Sequence, residues 1–247
     1  MYFKKPIIDT DIPDIKYLAP IPVYQHIFED EEFHNRVYKY GFEVLSDRQK
    51  LMGQELPGQF DKERQENFQV WYDRQDEWVE ENELQPIGSR FWSPPNDFLD
   101  IDTPDVKVIR DRIEKGYLYM LESLGYSHNQ VPAITESWMQ YYDPYSGRGH
   151  NAHNHCRWSP DEAKPMMFSG GYYLSDGLPI KDHPYSGVFA FHIRGMKYFV
   201  RPRKGMLIIW PYDIVHSVEP FYGAEHRCVI NFNIQLKDGE IKIEEVK

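Results

Sequence analysis

Seven of the ten histidines in this 247-residue chain fall between positions 150 and 226, and the densest group is His150-Asn151-Ala152-His153-Asn154-His155. In an extended strand, side chains two positions apart share a face, so His153 and His155 can present two imidazoles to one ion. An isolated H-x-H is weak on its own, because loop histidines are common. A second group strengthens it. Residues 203–211 read as a turn into a buried strand, and His216 follows on the next short strand. Eleven residues further on, Arg227 opens the apolar run Cys228-Val229-Ile230-Asn231-Phe232-Asn233. A histidine followed by a strand-borne arginine is the arrangement needed to hold a divalent metal and, beside it, the far carboxylate of a chelating dianion. Arginine suits that task because its planar fork pairs both carboxylate oxygens. Imidazole and oxygen ligands with open positions on one face suit ferrous iron that activates oxygen.

Such a constellation needs rigid elements to carry it. Short apolar runs at 134–142, 168–174, 187–193, 197–200, 206–210 and 227–236, broken by Gly, Pro, Asp and Ser, read as strands of a sandwich or barrel. Ahead of them, Val106, Ile109, Ile113, Tyr117, Leu121 and Leu124 repeat at three and four, which predicts a helix over 104–124. Thr103 can cap it, Pro104 suits its first position and Gly125 ends it. The N-terminal half is therefore expected to be largely helical and supportive.

Composition bounds the rest. Hydrophobic residues at 41% and aromatic residues at 15% exclude a disordered chain, and the length allows one integrated domain. The net charge of −11 argues against an unassisted polyanion binder. Nine acids and three bases fall within 61–83, interleaved with Phe68, Trp71, Trp78 and Val79. That segment reads as an acidic helical insertion with a solvated face, or as a lid or partner surface. The bases Arg194, Lys197, Arg201, Arg203 and Lys204, with Tyr198 and Phe199 among them, have the ingredients of a nucleic-acid patch. Alternate residues of a hairpin point to opposite faces, so a solvated hairpin is favoured. Cys156 and Cys228 are too few for a disulfide scaffold and are expected to be packing residues. The start of the chain has no apolar signal core, and no run approaches the ~18 apolar residues of a membrane span, so a soluble, cytoplasmic protein is expected.

The ordered set Ser137-Trp138-Met139-Gln140-Tyr141-Tyr142, Gly149, Asn151, His153-Asn154-His155, Ser169-Gly170-Gly171-Tyr172-Tyr173-Leu174, Gly205, Pro211, His216, Arg227 and Phe232-Asn233 resembles the 2-oxoglutarate/Fe(II)-dependent oxygenases. More narrowly it is similar to a largely uncharacterised branch from bacteria and phages. The clear resemblance covers about 134–236. It implies a mainly β protein: a double-stranded β-helix, or jelly roll, as catalytic core over 134–247, with the helical region 1–133 packed on it. It carries His153 onto the first ligand position and His216 onto the distal one. Arg227 falls where the residue that grips 2-oxoglutarate belongs, with Tyr142, Tyr173 and Asn233 as supporting cosubstrate residues. The implied cofactors are Fe(II), 2-oxoglutarate and O2. The implied reaction is hydroxylation of an unidentified small-molecule or macromolecular substrate, with decarboxylation of 2-oxoglutarate to succinate.

Two departures matter. The family's usual H-x-D has His155 in place of the carboxylate, and its frequent R-x-S is Arg227-Cys228-Val229. An all-imidazole triad leaves the metal complex one unit more positive than a two-His, one-carboxylate site. Other ligand sets stay open: His150 with Ala152 two positions on, leaving a place for a halide, or a distant acid such as Asp161 or Asp213. His34, His183 and His226 are expected at the surface or in turns, and His192 in the core or a pocket. Two other functions also stay open, a three-histidine cupin-like dioxygenase without 2-oxoglutarate and a non-catalytic binding or assembly protein acting through 61–83. Residues 141–237 hold eleven bases and eight acids, so the implied catalytic half is mildly basic, which suits a dianionic cosubstrate.

Overall fold

The structure is a computed structural model, and it describes residues 14–18, 21–52, 98–125, 132–142, 144–156, 166–178 and 180–236. The acidic segment 61–83 and Asp161 lie outside them. Ten strands and two long helices follow in the order β1 (Asp14–Leu18), β2 (Ile21–Ile27), α1 (Glu31–Met52), α2 (Pro104–Ser123), β3 (Pro132–Tyr142), β4 (Arg148–His153), β5 (Met166–Asp176), β6 (Phe189–Ile193), β7 (Met196–Val200), β8 (Met206–Pro211), β9 (His216–Phe221) and β10 (Arg227–Leu236). No helix among the described residues is long and apolar enough to cross a membrane.

The strands form two sheets, a large one in the order β1-β2-β8-β5-β10-β3 and a small one in the order β4-β9-β6-β7. Every pairing in them is antiparallel. From β3 onward the chain moves back and forth between the sheets, entering the small one at β4, at the β6–β7 hairpin and at β9. That path is a jelly roll, in which the end of one strand and the start of a distant one meet at the same rim. The expected helical N-terminal half is corrected here. Its described residues contribute α1 and α2, but also β1 and β2, which lengthen the large sheet beyond β8.

Both faces of the large sheet are covered, so its central strand β8 reads as an unbroken apolar run. In β8, Leu207 and Ile209 turn outward to the helices, while Met206, Ile208 and Trp210 turn inward to the small sheet. In β10, Cys228, Ile230, Phe232 and Ile234 belong to the helix-side core. The alternate positions Arg227, Val229, Asn231 and Asn233 therefore face the interior of the sandwich. The helix layer rests on the outer face through Val106, Ile109, Ile113, Tyr117, Met120 and Leu121 of α2, all buried. Thr103 accepts a hydrogen bond from the Val106 amide, and Gly125, at φ 80°, closes the other end, as the sequence predicts.

His34 departs from its expected surface position. It sits on the inner face of α1 at 1% exposure, with Nε2 2.9 Å from the Tyr172 hydroxyl. Arg112 donates to the same hydroxyl at 2.7 Å and pairs with Asp30. Burial, aided by Arg112, pushes the His34 imidazole down to about 4, so it is a neutral member of a satisfied polar cluster. His183 is exposed in a turn and stacks on Tyr222. His226 is half-buried against Phe42 and Tyr141, and His192 meets the Ser217 hydroxyl at 2.8 Å. The β6–β7 turn places Arg194 and Gly195 at φ 51° and 78°, the two left-handed residues a tight hairpin requires. Of the basic cluster, Lys197 pairs with Glu219, Arg201 with the Pro184 carbonyl and Lys204 with Glu31 and Asn35, so these charges part in different directions. Cys228 is buried, but Cys156 is exposed, which corrects its reading as a packing residue.

Candidate metal centre and anion pocket

β4 and β9 run side by side at one rim, and His153 is the register partner of His216. His155 follows just past the end of β4, where its amide donates to the Tyr212 carbonyl at 3.0 Å. The second imidazole thus comes from the loop, not from strand alternation, although the outcome is the one H-x-H spacing predicts. One ring nitrogen from each of His153, His155 and His216 lies within 4.8 Å of the others. Among the described residues no carboxylate joins this group. Asp213 is exposed in the adjoining turn, where its carbonyl oxygen faces the Asn154 amide at 3.5 Å.

The hydrogen bonds of the three rings say which nitrogen is offered. His153 Nδ1 is 2.8 Å from the Asn151 carbonyl and His216 Nδ1 is 2.9 Å from the Ile214 carbonyl. A carbonyl oxygen only accepts, so each Nδ1 carries the proton and each Nε2 the lone pair. His155 Nδ1 is 2.6 Å from Asn233 Oδ1 and 2.9 Å from Ser169 Oγ. Burial, and then the neighbouring His153 and His155, hold His216 well below the ordinary imidazole value, and burial also lowers His153. Neutral imidazoles tethered through Nδ1 are what a metal site requires.

A bulge brings a fourth histidine inward. His150 pairs with Val218 and His153 with His216, so β4 takes three steps where β9 takes two. The extra residue leaves Asn151 and Ala152 exposed and turns His150 and His153 to one face, with ring centroids 4.2 Å apart. His150 lies outside the metal-capable group, and its Nδ1 is buried without a hydrogen-bond partner among the described residues. Burial, then His153, His155 and Arg227, push it down to about 3.

Arg227 is the largest fully buried side chain among the described residues, 1% exposed, on the inward face of β10. Its guanidinium carbon stands 4.5 Å over the Tyr142 ring and 5.1 Å over the Tyr173 ring, and Nη2 meets the Tyr173 hydroxyl at 3.5 Å. Gly187, at φ 61°, makes room for it, since a Cβ there would come within 3.2 Å of Arg227 Cδ. Nε and Nη1 have no partner among the described residues. A buried cation with two orphan donors is costly unless an anion meets it. Of the residues the resemblance implies for the cosubstrate, Tyr142 and Tyr173 lie beside Arg227, whereas Asn233 lies further along β10, hydrogen-bonded to His155. Residue types and spacing assign no role to Glu136 or Trp210, name Ser169 only within a motif, and offer His150 as an alternative ligand, whereas it lies outside the metal-capable group. Alternation along β10 was the available signal, since it places Arg227 and Asn233 on one face and their cross-strand neighbours beside them.

No family model and no curated protein sequence matches the chain. Solved structures do. The non-heme alpha ketoglutarate dependent carbocyclase SnoK from nogalamycin biosynthesis superposes with a TM-score of 0.57 at 11% identity, over 93% of this chain and 85% of that one. AviO1 from Streptomyces viridochromogenes Tue57 gives 0.54 at 14%, over 91% and 93%. A Pseudomonas putida prolyl-4-hydroxylase gives 0.51 at 14%, over 90% and 95%. At these identities the likeness is one of fold, and it extends over nearly the whole of each chain.

Proposed function

We propose that this chain is an Fe(II)- and 2-oxoglutarate-dependent dioxygenase that hydroxylates a C–H bond of its substrate. The observation that carries the reading is Arg227: a fully buried guanidinium with two donors unpartnered among the described residues, in the same sandwich interior as three tethered imidazoles. A small dicarboxylate that chelates a metal answers both at once. The fold shared with an alpha ketoglutarate dependent carbocyclase and a prolyl-4-hydroxylase supports the same chemistry.

His153, His155 and His216 would hold the iron through Nε2, and Arg227 would grip the far carboxylate through Nε and Nη1. When bound, iron and 2-oxoglutarate supply with O2 an oxidation that inserts one oxygen atom into the substrate C–H bond and leaves succinate and CO2. The protein supplies the geometry. The rings of Tyr142 and Tyr173 pack against the guanidinium and restrict it. Burial raises the Tyr173 hydroxyl, which stays protonated and able to hydrogen-bond. Phe189 and Trp210 pack on His216, with ring centroids at 5.3 and 4.9 Å, and keep water from that side. Trp138, Gln140 and Asn231 line the same inward face nearer the rim, with Asn231 Nδ2 donating to Gln140 Oε1 at 2.8 Å.

Anaerobic titration of 2-oxoglutarate into the iron-loaded protein tests the reading. A visible metal-to-ligand charge-transfer band is expected, followed by succinate formation when oxygen is admitted. Iron binding without that band would favour the three-histidine dioxygenase that dispenses with 2-oxoglutarate, a reading the all-imidazole ligand set also allows.

A further inference from the structure

Across the large sheet, Asn233 on β10 is the register partner of Glu136 on β3 and of Ser169 on β5. These three form one polar row on the inward face, and His155 lies against it. Asn233 Nδ2 donates to Glu136 Oε2 at 2.9 Å, Ser169 Oγ donates to Asn233 Oδ1 at 2.9 Å, and Asn233 Oδ1 is 2.6 Å from His155 Nδ1. Resting on the metal reading above, we infer that Glu136 and Asn233 are positioning residues: they lock His155 as the Nδ1–H tautomer and lend the three-histidine site the negative charge its ligands lack.

An asparagine amide can turn over, exchanging donor and acceptor ends, and by itself fixes nothing. A carboxylate accepts only, so Glu136 forces the Asn233 NH2 toward itself and the carbonyl oxygen toward His155. That oxygen then demands a donor, so the proton of His155 stays on Nδ1 and the lone pair on Nε2. His153 and His216 need no such device, because their Nδ1 atoms meet backbone carbonyls that cannot turn over. His155 alone of the three is oriented by side chains. Polarised through two hydrogen bonds, it becomes the most electron-rich of the imidazoles, and the site keeps a carboxylate within reach without spending a coordination position on it.

The test uses the full chain and Glu136→Gln, which keeps shape at a half-buried position. In the metal-free protein, long-range 1H–15N correlation reports which ring nitrogen carries each proton. The wild type is expected to show His155 as the Nδ1–H form. In E136Q the glutamine amide lets Asn233 turn over, and His155 becomes a mixture while His153 and His216 stay unchanged. Cobalt(II), followed by its visible absorption, is expected to bind E136Q about 10–100-fold more weakly, and Glu136→Asp, which keeps the charge, should recover part of the loss. An unchanged His155 tautomer in E136Q overturns the relay. A tautomer shift with no change in cobalt affinity overturns its bearing on the metal. Wild-type protein that takes up no cobalt overturns the metal reading itself.

Discussion

The interior of the sandwich has two polar ends, built in opposite ways. At the histidine end each Nδ1 of the triad meets a hydrogen-bond partner, and one ring nitrogen of each converges with the others. At the arginine end two donors of a buried cation have no acceptor among the described residues. The first end is organised before any ligand arrives, as a metal centre must be to choose its ion and geometry. The second stores an electrostatic imbalance that only an anion removes. A ligand that spans the two ends is selected by length as well as by charge.

Breaking the organised end has the largest expected effect. His216→Ala removes a ligand from the register pair His153–His216, and both iron retention and succinate production should fall to background. Arg227→Met tests whether the ends are separable. Iron binding should persist, while 2-oxoglutarate affinity should fall by roughly 30-fold or more, the about 2–5 kcal/mol of a truncated buried charge contact. The same variant relieves an uncompensated buried charge, so the thermal midpoint of the metal-free protein should hold or rise, read by calorimetry. Iron with excess 2-oxoglutarate under nitrogen should stabilise the wild type by about 3 kcal/mol at 100-fold saturation, roughly 5–10 °C for a chain of this size. In Arg227→Met the 2-oxoglutarate part of that gain should vanish.

Acid sharpens the contrast more gently. His150, held at about 3, and His216, held well below its usual value, stay neutral in the fold, whereas in the unfolded chain they take up protons near 6.5. Unfolding therefore binds protons, and the metal-free protein should lose stability as pH falls through and below 6.5. Denaturant titrations of His150→Gln should show a shallower slope over that range. Smallest of all, Tyr173→Phe removes a long 3.5 Å contact to Arg227 but keeps the aromatic face. A few-fold rise in the KM for 2-oxoglutarate, with kcat nearly unchanged, is expected.

The sequence was most legible where burial leaves a pattern. β8 and β10 show as apolar runs because both sheet faces are covered, and α2 shows its cap, its period and its closing glycine. β4 hides, because Arg148–His153 is polar and becomes a strand only by pairing with β9. β2 hides behind Pro22, and joins the sheet through the register of Tyr24 to Ile27 with β8. The triad could be named from spacing, but the inward turn of His150 depends on a bulge, a mismatch between two strands that neither shows alone. His34 misled because a lone histidine on a helix carries no sign of the Tyr172 hydroxyl that awaits it. Asn233 shows a related limit: alternation gives its face but not that it meets His155.

His153 and His216 belong to the small sheet, whereas His155 leans on Ser169 and Asn233 of the large one. A metal held by all three would therefore tie the small sheet to the large one at this rim, so that the ion is a structural link as well as a reactive centre.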